Sequence, residues 1–553
     1  MQTLTKSLYL NGLQCPKLLW IICHEKEKIP AKGEAAQHRF DQGKLIGELA
    51  RTLYPKGIEI KAEYWELAES NEKSLKALKL RKPLFEAGFL IDGIYSRADV
   101  LLPAGKNEWD TKKSPQSDFS VLKNENIFDI IEVKSGTKLK EDYIHDVSFQ
   151  KYCYEKAGLK IRKCFLMRIN SDYVRNDCIS ERPKNQGQSK HIVPIDFFGV
   201  RKGKIDVKKL FVMDDITEKV SEAIVGIDMR IAEMLKVMES KKCPEVKIGP
   251  QCNKFYGCPL KDYCWGNIPL TSVLNLIGPS AAAFELYDSG VKNLEDIPSN
   301  YELNAKQLIQ NKCAKSGKPC IQKEKIKEFL GTLKYPLYFM DFETYATAIP
   351  LYNGLKPYQP IPFQFSLHII EKPGEKAKHY SFIAEGSKDP RKKFIEELKK
   401  VIIGSDQKSC SGSELKKGSI IVYFQSFEKG RLEELGNMFP KHKKWIKSVF
   451  ERIADLIIPF SKFYYYNSKQ MGSASLKDVL PVLTNKSYEG MEISGGEIAS
   501  LNYLYITHGT IDGKKASANE IRKIRKDLEE YCGLDTEGMI WILEKLRELV
   551  EKV

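Results

Sequence analysis

Hydrophobic and polar positions divide the first half of the chain into short apolar runs and amphipathic stretches. Residues 127–136 form a β-branched and aromatic run that closes on Ser-Gly, which predicts a buried strand ending in a turn. Residues 85–102 predict two strands joined by a turn near Asp92 and Gly93. Apolar residues recur at helical spacing over 141–158, so we expect a helix directly after the central strand.

The same alternation continues to the end of the chain. Residues 211–238 are predicted to be mostly helical, and 269–330 read as short helices with turns between them. A buried strand is predicted over 334–344, and a strand that runs into a helix over 420–428. Asp455 is expected in a further helix. Because strands alternate with helices throughout, the pattern predicts an α/β fold class.

Acidic side chains stand where several of these strands end. A strand repeats every two residues, so Glu132 and Lys134 share one face, and Asp99 ends the neighbouring strand. Asp341 and Glu343 have the same spacing, and two facing acids repel unless a cation lies between them. Aspartate and glutamate oxygens suit Mg²⁺ or Mn²⁺, which polarises a phosphoryl oxygen and activates water. A surface Glu/Lys pair is the alternative explanation for Glu132 and Lys134.

Composition limits the class of protein. The chain has 553 residues, of which 29% are charged and 42% hydrophobic, which is typical of a soluble globular protein with several domains. No apolar run approaches the roughly 18–20 residues that span a bilayer, so we expect a cytoplasmic protein without a membrane partner. The net charge of +15 suits a polyanionic partner, although a solvated lysine-rich surface explains it equally well. Without an export signal, the 13 cysteines indicate reduced thiols or metal ligands and not a disulfide framework.

Four cysteines form a candidate cofactor site. Cys252, Cys258 and Cys264 are evenly spaced in a loop rich in Gly and Pro, and Cys15 precedes a proline near the N-terminus. Four thiolates are what a [4Fe–4S] cluster requires. A structural zinc site is the competing interpretation, although the paired short CxxC knuckles typical of zinc are absent, and unrelated buried thiols remain the third. Cys243 lies near the triplet but outside its spacing.

The residues of the first half resemble a known nuclease superfamily. Asp99, then Glu132-x-Lys134, then Gln150 and Tyr154 four residues apart resemble the RecB-like branch of the PD-(D/E)xK nucleases over residues 1–268. The resemblance implies that Asp99 and Glu132 bind metal and that Lys134 orients water. It also implies that Gln150 and Tyr154 approach the DNA backbone.

The first half departs from that family at one position. RecB-like enzymes usually carry a histidine at the end of a Gly-xxx-His motif in an N-terminal helix, and here Gly43 is followed by Gly47. His38 lies on the same predicted helix but out of register with the motif. The departure implies that a second metal would be bound weakly or not at all.

The cysteine layout resembles a subset of the same superfamily. In the AddB nuclease domain and the iron–sulfur exonuclease of CRISPR adaptation, one cysteine precedes the nuclease core and three follow it. The resemblance implies a [4Fe–4S] cluster with a structural role, held by Cys15, Cys252, Cys258 and Cys264.

The second half resembles the DnaQ-like 3′–5′ exonucleases of the RNase H type over about residues 331–553. Asp341-x-Glu343 and the Tyr531-xxx-Asp535 pair carry the resemblance, together with an acid in the strand–helix unit. It implies that Asp341, Glu343 and Asp535 bind metal and that Tyr531 orients the attacking water. Glu428 stands at the remaining acid position, where the family prefers aspartate.

Together these features predict a two-nuclease protein whose order of domains resembles an uncharacterised prokaryotic family. We expect a restriction-endonuclease-like domain with a mixed sheet over 1–268, a helical linker over 269–330 and an RNase H-like domain over 331–553. The linker faintly resembles a helix-hairpin-helix element, and a plain spacer is the alternative. The aromatic stretch 462–466 suits either base stacking or core packing.

The predicted function is metal-dependent hydrolysis of phosphodiester bonds, acting on DNA ends or single strands in repair, recombination or defence. The alternatives are a nucleic-acid-binding scaffold with one or both sites degenerate, and an RNA 3′-exonuclease. Because no Walker-type phosphate loop is present in the sequence, any helicase must be a separate partner.

Overall fold

The structure is a computed structural model, and the chain forms two compact units that we describe separately. The structure describes residues 2–31, 33–105, 126–176, 192–197, 201–408, 417–510 and 513–551. For 192–197, 201–204 and 407–408 it describes the backbone alone. Unit 1 comprises Met1–Asp196, Lys202–Gly266 and Thr347–Tyr358. Unit 2 comprises Phe197–Arg201, Asn267–Ala346 and Gln359–Val553.

A mixed sheet of seven strands organises unit 1. The strands in this part of the chain are Leu4–Thr5 (β1), Ile58–Glu59 (β2), Leu84–Ile91 (β3), Ile94–Pro103 (β4), Ile127–Lys134 (β5), Lys160–Ile169 (β6), Ile192–Phe197 (β7), Arg201–Asp206 (β8) and Phe211–Asp215 (β9). The sheet order is β2-β3-β4-β5-β6-β9, with β1 parallel to β4, and β7 pairs with β8 separately. β4 is antiparallel to β5, whereas β5 is parallel to β6. β3 and β4 form a hairpin whose turn residues Asp92 and Gly93 both have positive φ, as a tight two-residue hairpin turn requires.

Helices of unit 1 cover this sheet. They are Lys6–Gln14 (α1), Pro16–His24 (α2), Glu34–Arg51 (α3), Leu67–Leu78 (α4), Glu141–Lys156 (α5), Val207–Leu210 (α6), Thr217–Ala223 (α7), Ile227–Glu239 (α8) and Lys261–Trp265 (α9). The core joins Phe149 and Tyr154 of α5 to Phe89 and Ile130 of the sheet. Tyr9 of α1 stacks on Phe149 with ring centroids 4.8 Å apart, so α1 is fixed against the helix that follows the central strand.

A mixed sheet of five strands organises unit 2. The strands of this unit are Cys320–Ile321 (β10), Leu337–Tyr345 (β11), Ile361–Ile370 (β12), Lys378–Ile383 (β13), Ile420–Val422 (β14), Ile453–Asp455 (β15) and Tyr465–Tyr466 (β16). The sheet order is β13-β12-β11-β14-β15, antiparallel from β13 to β11 and parallel from β11 to β15. β11 therefore lies at the centre, and β10 pairs with β16 outside this sheet.

Helices pack on both faces of β11. The helices of unit 2 are Ser280–Asp288 (α10), Ala305–Ser316 (α11), Lys323–Gly331 (α12), Arg391–Lys408 (α13), Gln425–Met438 (α14), Lys443–Phe450 (α15), Ile458–Ser461 (α16), Leu476–Thr484 (α17), Gly496–His508 (α18) and Ala518–Glu551 (α19). Tyr338, Met340 and Phe342 of β11 join an apolar core with α13 and α14. Asp341 and Glu343 alternate with them, and α18 and α19 pack on β11 as well.

The observed elements confirm the α/β class and most of the predicted strands and helices. Helices α7 and α8 confirm that 211–238 is mostly helical, although its first residues, 211–215, form strand β9. The prediction for Asp455 is wrong, because this residue ends strand β15 instead of lying in a helix. The sequence also predicts polar loops over 103–126 and 405–419, and most of the first and the centre of the second lie outside the described residues.

The segment predicted as a linker belongs to unit 2. Its strand β10 pairs with β16, and Gln310 of α11 donates hydrogen bonds to Asn275 O and the Tyr466 hydroxyl. Cys313 and Cys320 form a disulfide, where the sequence indicated reduced thiols. In the described residues of 462–466, Phe463 and Tyr466 are buried and stack at 4.4 Å, so this stretch is core and not a base-stacking surface.

No helix within the described parts of the chain combines the length and apolar character needed to cross a membrane.

Candidate functional site

Four acidic side chains converge in unit 2. Strand β11 carries Asp341 and Glu343, the first turn of α14 carries Glu428, and α19 carries Asp535. One ligand atom each from Asp341, Glu343 and Cys532 lie within 4.8 Å of one another, the one such group found among the described residues. Glu343, Glu428 and Asp535 are each less than a tenth exposed. The fold of unit 2 therefore brings together the four acids that the sequence analysis predicted for this half of the chain.

The raised pKa values of these acids indicate that too little positive charge lies nearby to neutralise them. Burial raises the pKa of Asp341 and Glu343 far above their usual range, and the repulsion of the neighbouring acids, Asp535 among them, adds to the rise. Burial, with repulsion by Asp341, raises the pKa of Glu428 to about 9. Burial raises the pKa of Asp535 to about 6. The Oε2 atom of Glu428 is buried and has no hydrogen-bond partner within the described structure, so a cation could be held there.

Two tyrosines and a lysine adjoin the acids. The Tyr488 hydroxyl donates a hydrogen bond to Asp535 Oδ1. The Lys477 ammonium lies 5.3 Å from the ring centroids of both Tyr488 and Tyr531, and it donates to Ser494 O at 2.5 Å. Its charge lowers the pKa of Glu343 and Asp535, against the larger effect of burial. Tyr531, which the sequence predicted, is 4% exposed beside these acids.

Asp455 fixes the position of Glu428. Its two carboxylate oxygens accept hydrogen bonds from Phe424 N and Gln425 N, each at 2.9 Å. These amides stand at the start of α14, where Phe424 has a φ of 75°. Asp455 therefore holds the first helical turn, and with it Glu428, against the sheet.

In unit 1 the predicted acids meet ammonium groups. Glu132 Oε1 accepts from Lys134 Nζ at 2.7 Å and from Lys6 Nζ at 2.9 Å. Asp146 of α5 pairs with the same two lysines, at 2.6 Å for Lys134 and 3.4 Å for Lys6. Gln150 Nε2 donates to Glu132 Oε2 at 2.6 Å. We call Glu132, Asp146, Lys6 and Lys134 the ion-pair ring.

The ion-pair ring compensates the burial of its acids. Although burial alone would raise the pKa of Glu132, the charges of Lys134 and Lys6 lower it well below its usual range. Asp99 is different, because burial and repulsion by Glu132 raise its pKa to about 7. Asp99 Oδ2 accepts a hydrogen bond from Val133 N at 2.6 Å, so the structure holds Asp99 beside the strand that carries Glu132.

Tyr154, which the resemblance predicted to approach the DNA backbone, is buried inside unit 1. It is fully buried, its hydroxyl donates to Ala87 O, and it accepts from Ala98 N at 2.8 Å. These bonds link α5 to strands β3 and β4. Gly47, at the position of the family histidine, has open space around its Cα, and His38 lies on the same helix, α3.

The four predicted cysteines line one cavity in unit 1, together with three lysines: Cys15, Cys252, Cys258, Cys264, Lys17, Lys247 and Lys261. Burial raises the pKa of Cys258 and Cys264, and the nearby cysteines add to the rise. Gln14 Nε2 donates to Tyr256 O at 2.9 Å, which ties the N-terminal helices to the cysteine loop.

Sequence reasoning missed several residues of these sites. Asp146 was detectable, because it precedes Gln150 by four residues on the same helix face. Lys6 and Lys477 carried no signal in their spacing. Cys532 directly follows Tyr531, and its spacing carries no signal because thiols are uncommon among magnesium ligands.

Fold and sites together define a mixed α/β protein of two compact units, each with a cluster of buried acids. A family model described as a domain of unknown function, DUF2779, matches residues 338–475. Uncharacterized protein MG366 of Mycoplasma genitalium is 28% identical over 240 residues, covering 41% of this chain and 34% of the relative. Its homolog in Mycoplasma pneumoniae is 26% identical over 230 residues, covering 39% of this chain and 33% of the relative. The chain thus spans about a third of the length of these curated relatives, and no solved structure matches it significantly.

Proposed function

We propose that this protein is a metal-dependent nuclease that hydrolyses phosphodiester bonds of nucleic acid, acting on DNA ends or single strands. In this proposal unit 2 is an RNase H-like exonuclease of the DnaQ type, and Asp341, Glu343, Glu428 and Asp535 form its catalytic centre. The observation that carries it is the set of buried acids whose pKa values are raised by burial and mutual repulsion. Acids in such an arrangement are stable together when a cation neutralises them.

The donor set fits Mg²⁺ or Mn²⁺, because carboxylate oxygens predominate and one of them, Glu428 Oε2, has no partner among the residues that the structure describes. Asp341, Glu343 and Asp535 would hold the ion, with Glu428 as the further acid. When bound, the metal supplies a water activated for attack and stabilises charge on the phosphate. Tyr531 orients the attacking water, and Tyr488 fixes Asp535 through its hydroxyl hydrogen bond. Lys477 offsets negative charge beside the two tyrosines.

Unit 1 is proposed to have the restriction-endonuclease-like fold of the RecB-like nucleases, with Asp99, Glu132 and Lys134 as a second metal site. The ion-pair ring favours a second candidate function for this unit, which is binding nucleic acid without cutting it. Both oxygens of Glu132 already accept hydrogen bonds from cationic or amide donors. A metal would have to displace at least one of them before Glu132 could serve as a ligand.

We propose that Cys15, Cys252, Cys258 and Cys264 hold a [4Fe–4S] cluster with a structural role, and zinc is the alternative. Convergence of the four thiols on one cavity supports a metal–thiolate site. The lysines of the same cavity favour an anionic cluster electrostatically. An anaerobic preparation is expected to be brown with broad visible absorption, and a colourless one with stoichiometric zinc would contradict the cluster.

The net charge of +15 suits a nucleic-acid partner, with DNA preferred over RNA and with any helicase supplied by another protein.

The test is digestion of end-labelled single- and double-stranded DNA and RNA with Mg²⁺ or Mn²⁺. Asp341→Asn should lower the rate at least about 100-fold, since a metal ligand supplies several kcal/mol of transition-state stabilisation. Glu489→Gln, at an exposed acid of unit 2, is the control and should retain full activity. Asp99→Asn separates the two units, because it should remove a second activity only if unit 1 cuts.

The possible outcomes are distinct. Cutting that survives Asp341→Asn but not Asp99→Asn would move the catalytic centre to unit 1. Wild-type protein that binds nucleic acid and never cuts would establish the scaffold alternative. Faster cutting of RNA than of DNA would establish the RNA exonuclease.

A further inference from the structure

A thiol stands inside the acidic cluster of unit 2. Cys532 of α19 is fully buried, and its Sγ lies 3.6 Å from Asp341 Oδ2, to which it donates a weak hydrogen bond. Its sulfur and one oxygen each of Asp341 and Glu343 lie within 4.8 Å of one another. Small side-chain rotations would bring donor atoms this close onto one ion, because metal–oxygen and metal–sulfur bonds are about 2.0–2.3 Å long.

A second observation points to the same position. Glu428 is 1% exposed, and its Oε2 has no hydrogen-bond partner in the part of the chain that the structure describes. The charge that acts on it most strongly is that of Asp341. An unpartnered buried oxygen, on a carboxyl group that the charge of the same aspartate acts on, favours a cationic ligand at this cluster.

We propose that Cys532 is a metal ligand, so that the position between Asp341, Glu343 and Cys532 holds a Zn²⁺-like cation, such as Zn²⁺ or Co²⁺, more tightly than Mg²⁺. Two carboxylate oxygens and one sulfur form a mixed donor set. Thiolate sulfur binds Zn²⁺ and Co²⁺ well, whereas Mg²⁺ requires oxygen. On binding, a metal–sulfur bond forms, the thiol proton passes to solvent, and no atom is oxidised or reduced. This inference rests on the proposed metal site and not on which nucleic acid is cut.

The experiment is calorimetric titration of the full chain, with its cysteine site of unit 1 loaded, with Co²⁺ and separately with Mg²⁺. Asp341→Asn identifies the binding step that belongs to unit 2. Cys532→Ser keeps the side-chain size and replaces sulfur by oxygen. It should weaken Co²⁺ in that step by at least about 10-fold, as loss of a metal contact does, and leave Mg²⁺ binding unchanged. Cys164→Ser, at a buried thiol of unit 1, is the control.

Two further readouts make the result unambiguous. The difference spectrum of Co²⁺-loaded wild type minus Co²⁺-loaded Cys532→Ser should contain a sulfur-to-cobalt charge-transfer band, because the serine variant has no sulfur there. The spectrum of Co²⁺-loaded Cys532→Ala should lack the same band. Equal Co²⁺ affinity of wild type and Cys532→Ser, in a step that Asp341→Asn removes, would overturn the thiol ligand and leave the proposed metal site intact. Absence of any step that Asp341→Asn removes would overturn both.

Discussion

At the scale of single residues, the two units treat buried carboxylates in opposite ways. Glu132 keeps its charge because two lysines and an amide contact its oxygens. Glu343 has acids as its nearest charged neighbours, and Lys477 only partly offsets their effect. The difference originates in one position of otherwise similar strands, since Glu132 is followed at i+2 by lysine and Asp341 by glutamate. We therefore expect unit 2 to bind a divalent cation more readily than unit 1.

Replacing Lys6 should expose this difference. Lys6→Met leaves Glu132 and Asp146 with one ammonium between them, so unit 1 should lose roughly 1–3 kcal/mol of stability and gain Mn²⁺ affinity. Denaturant unfolding and Mn²⁺ titration measure the two effects. Lys6→Arg retains the charge and should behave like wild type. A Lys6→Met protein that binds Mn²⁺ no better than wild type would contradict competition between ammonium and metal.

At the scale of elements, positions depend on contacts that join segments distant in the sequence. Helix α14 starts where Asp455 accepts its first amides, although Asp455 belongs to the strand that follows the next helix. Strand β12 presents Ser366 and His368 to α19, where Thr536 is hydrogen-bonded to both. The position of the acidic cluster on this sheet therefore depends on how α14 and α19 are held.

Removing the Asp455 carboxylate should displace Glu428. Asp455→Ala leaves two partly buried amides without their acceptor, which should cost roughly 1–2 kcal/mol and lower any cutting rate of unit 2. Asp455→Asn retains one acceptor oxygen and should lie between alanine and wild type. Thermal unfolding and the DNA digestion assay measure both effects. A destabilised Asp455→Ala protein with full activity would separate Glu428 from catalysis.

The histidine pair on β12 and β13 should make unit 2 sensitive to acid. His368 and His379 stack at 4.3 Å, and burial, with the charge of His379, lowers the pKa of His368 to about 4. The groups around the pair are Ser366 and Thr536, which hydrogen-bond to it, and Glu529 and Glu537, whose charges favour protonation of His379.

Because the folded pKa of His368 lies below the usual 6.5, the unfolded chain binds the proton first. The stability contribution is therefore complete above about pH 6.5 and lost as the pH falls towards about 4. His368→Gln cannot titrate, and over this range it should lose about 1 kcal/mol less stability than wild type, allowing for solvent screening. Denaturant unfolding at several pH values measures the slope, and parallel curves for the two proteins would contradict the assignment.

The sequence predicted the elements better than the neighbours of each side chain. Runs of apolar, β-branched and aromatic residues located the strands of Asp99, Glu132 and Asp341, because strands in a buried sheet favour these residue types. The sequence did not separate the strand at 211–215 from the helices after it, because its apolar spacing suits either a short strand or a helix. Pairing with β6 makes this segment a strand. Lys6 contacts Glu132 across 126 positions of sequence, and no local pattern encodes such a contact.

At the scale of the whole molecule, the four-cysteine cavity lies in unit 1, and the acidic cluster with Cys532 lies in unit 2. The cysteine cavity brings together Cys15, near the start of the first segment of unit 1, and Cys252, near the end of its second segment. Bonds from one metal group to Cys15 and Cys252 would close a long loop, which reduces the entropy of the unfolded chain. Unit 1 should therefore be stabilised by the proposed metal group, whereas the stability of unit 2 should not depend on it.

Calorimetry of the full chain tests this dependence. Cys15→Ser should lower the unfolding transition of unit 1 by the equivalent of roughly 3–5 kcal/mol and leave that of unit 2 unchanged. Cys23→Ser, in the same N-terminal helical region and without a place in the cavity, is the matched control. Equal shifts in the two variants would indicate lost packing and not a lost metal bond.

Helix α19 lies outside the segment that the family model matches, because the match ends at residue 475. The matched segment contains Asp341, Glu343 and Glu428 but neither Asp535 nor Cys532. A relative could therefore match throughout that segment and still lack two of the side chains that form the cluster of unit 2. Surveys of related genes that rely on the match alone would count such relatives as having the complete set.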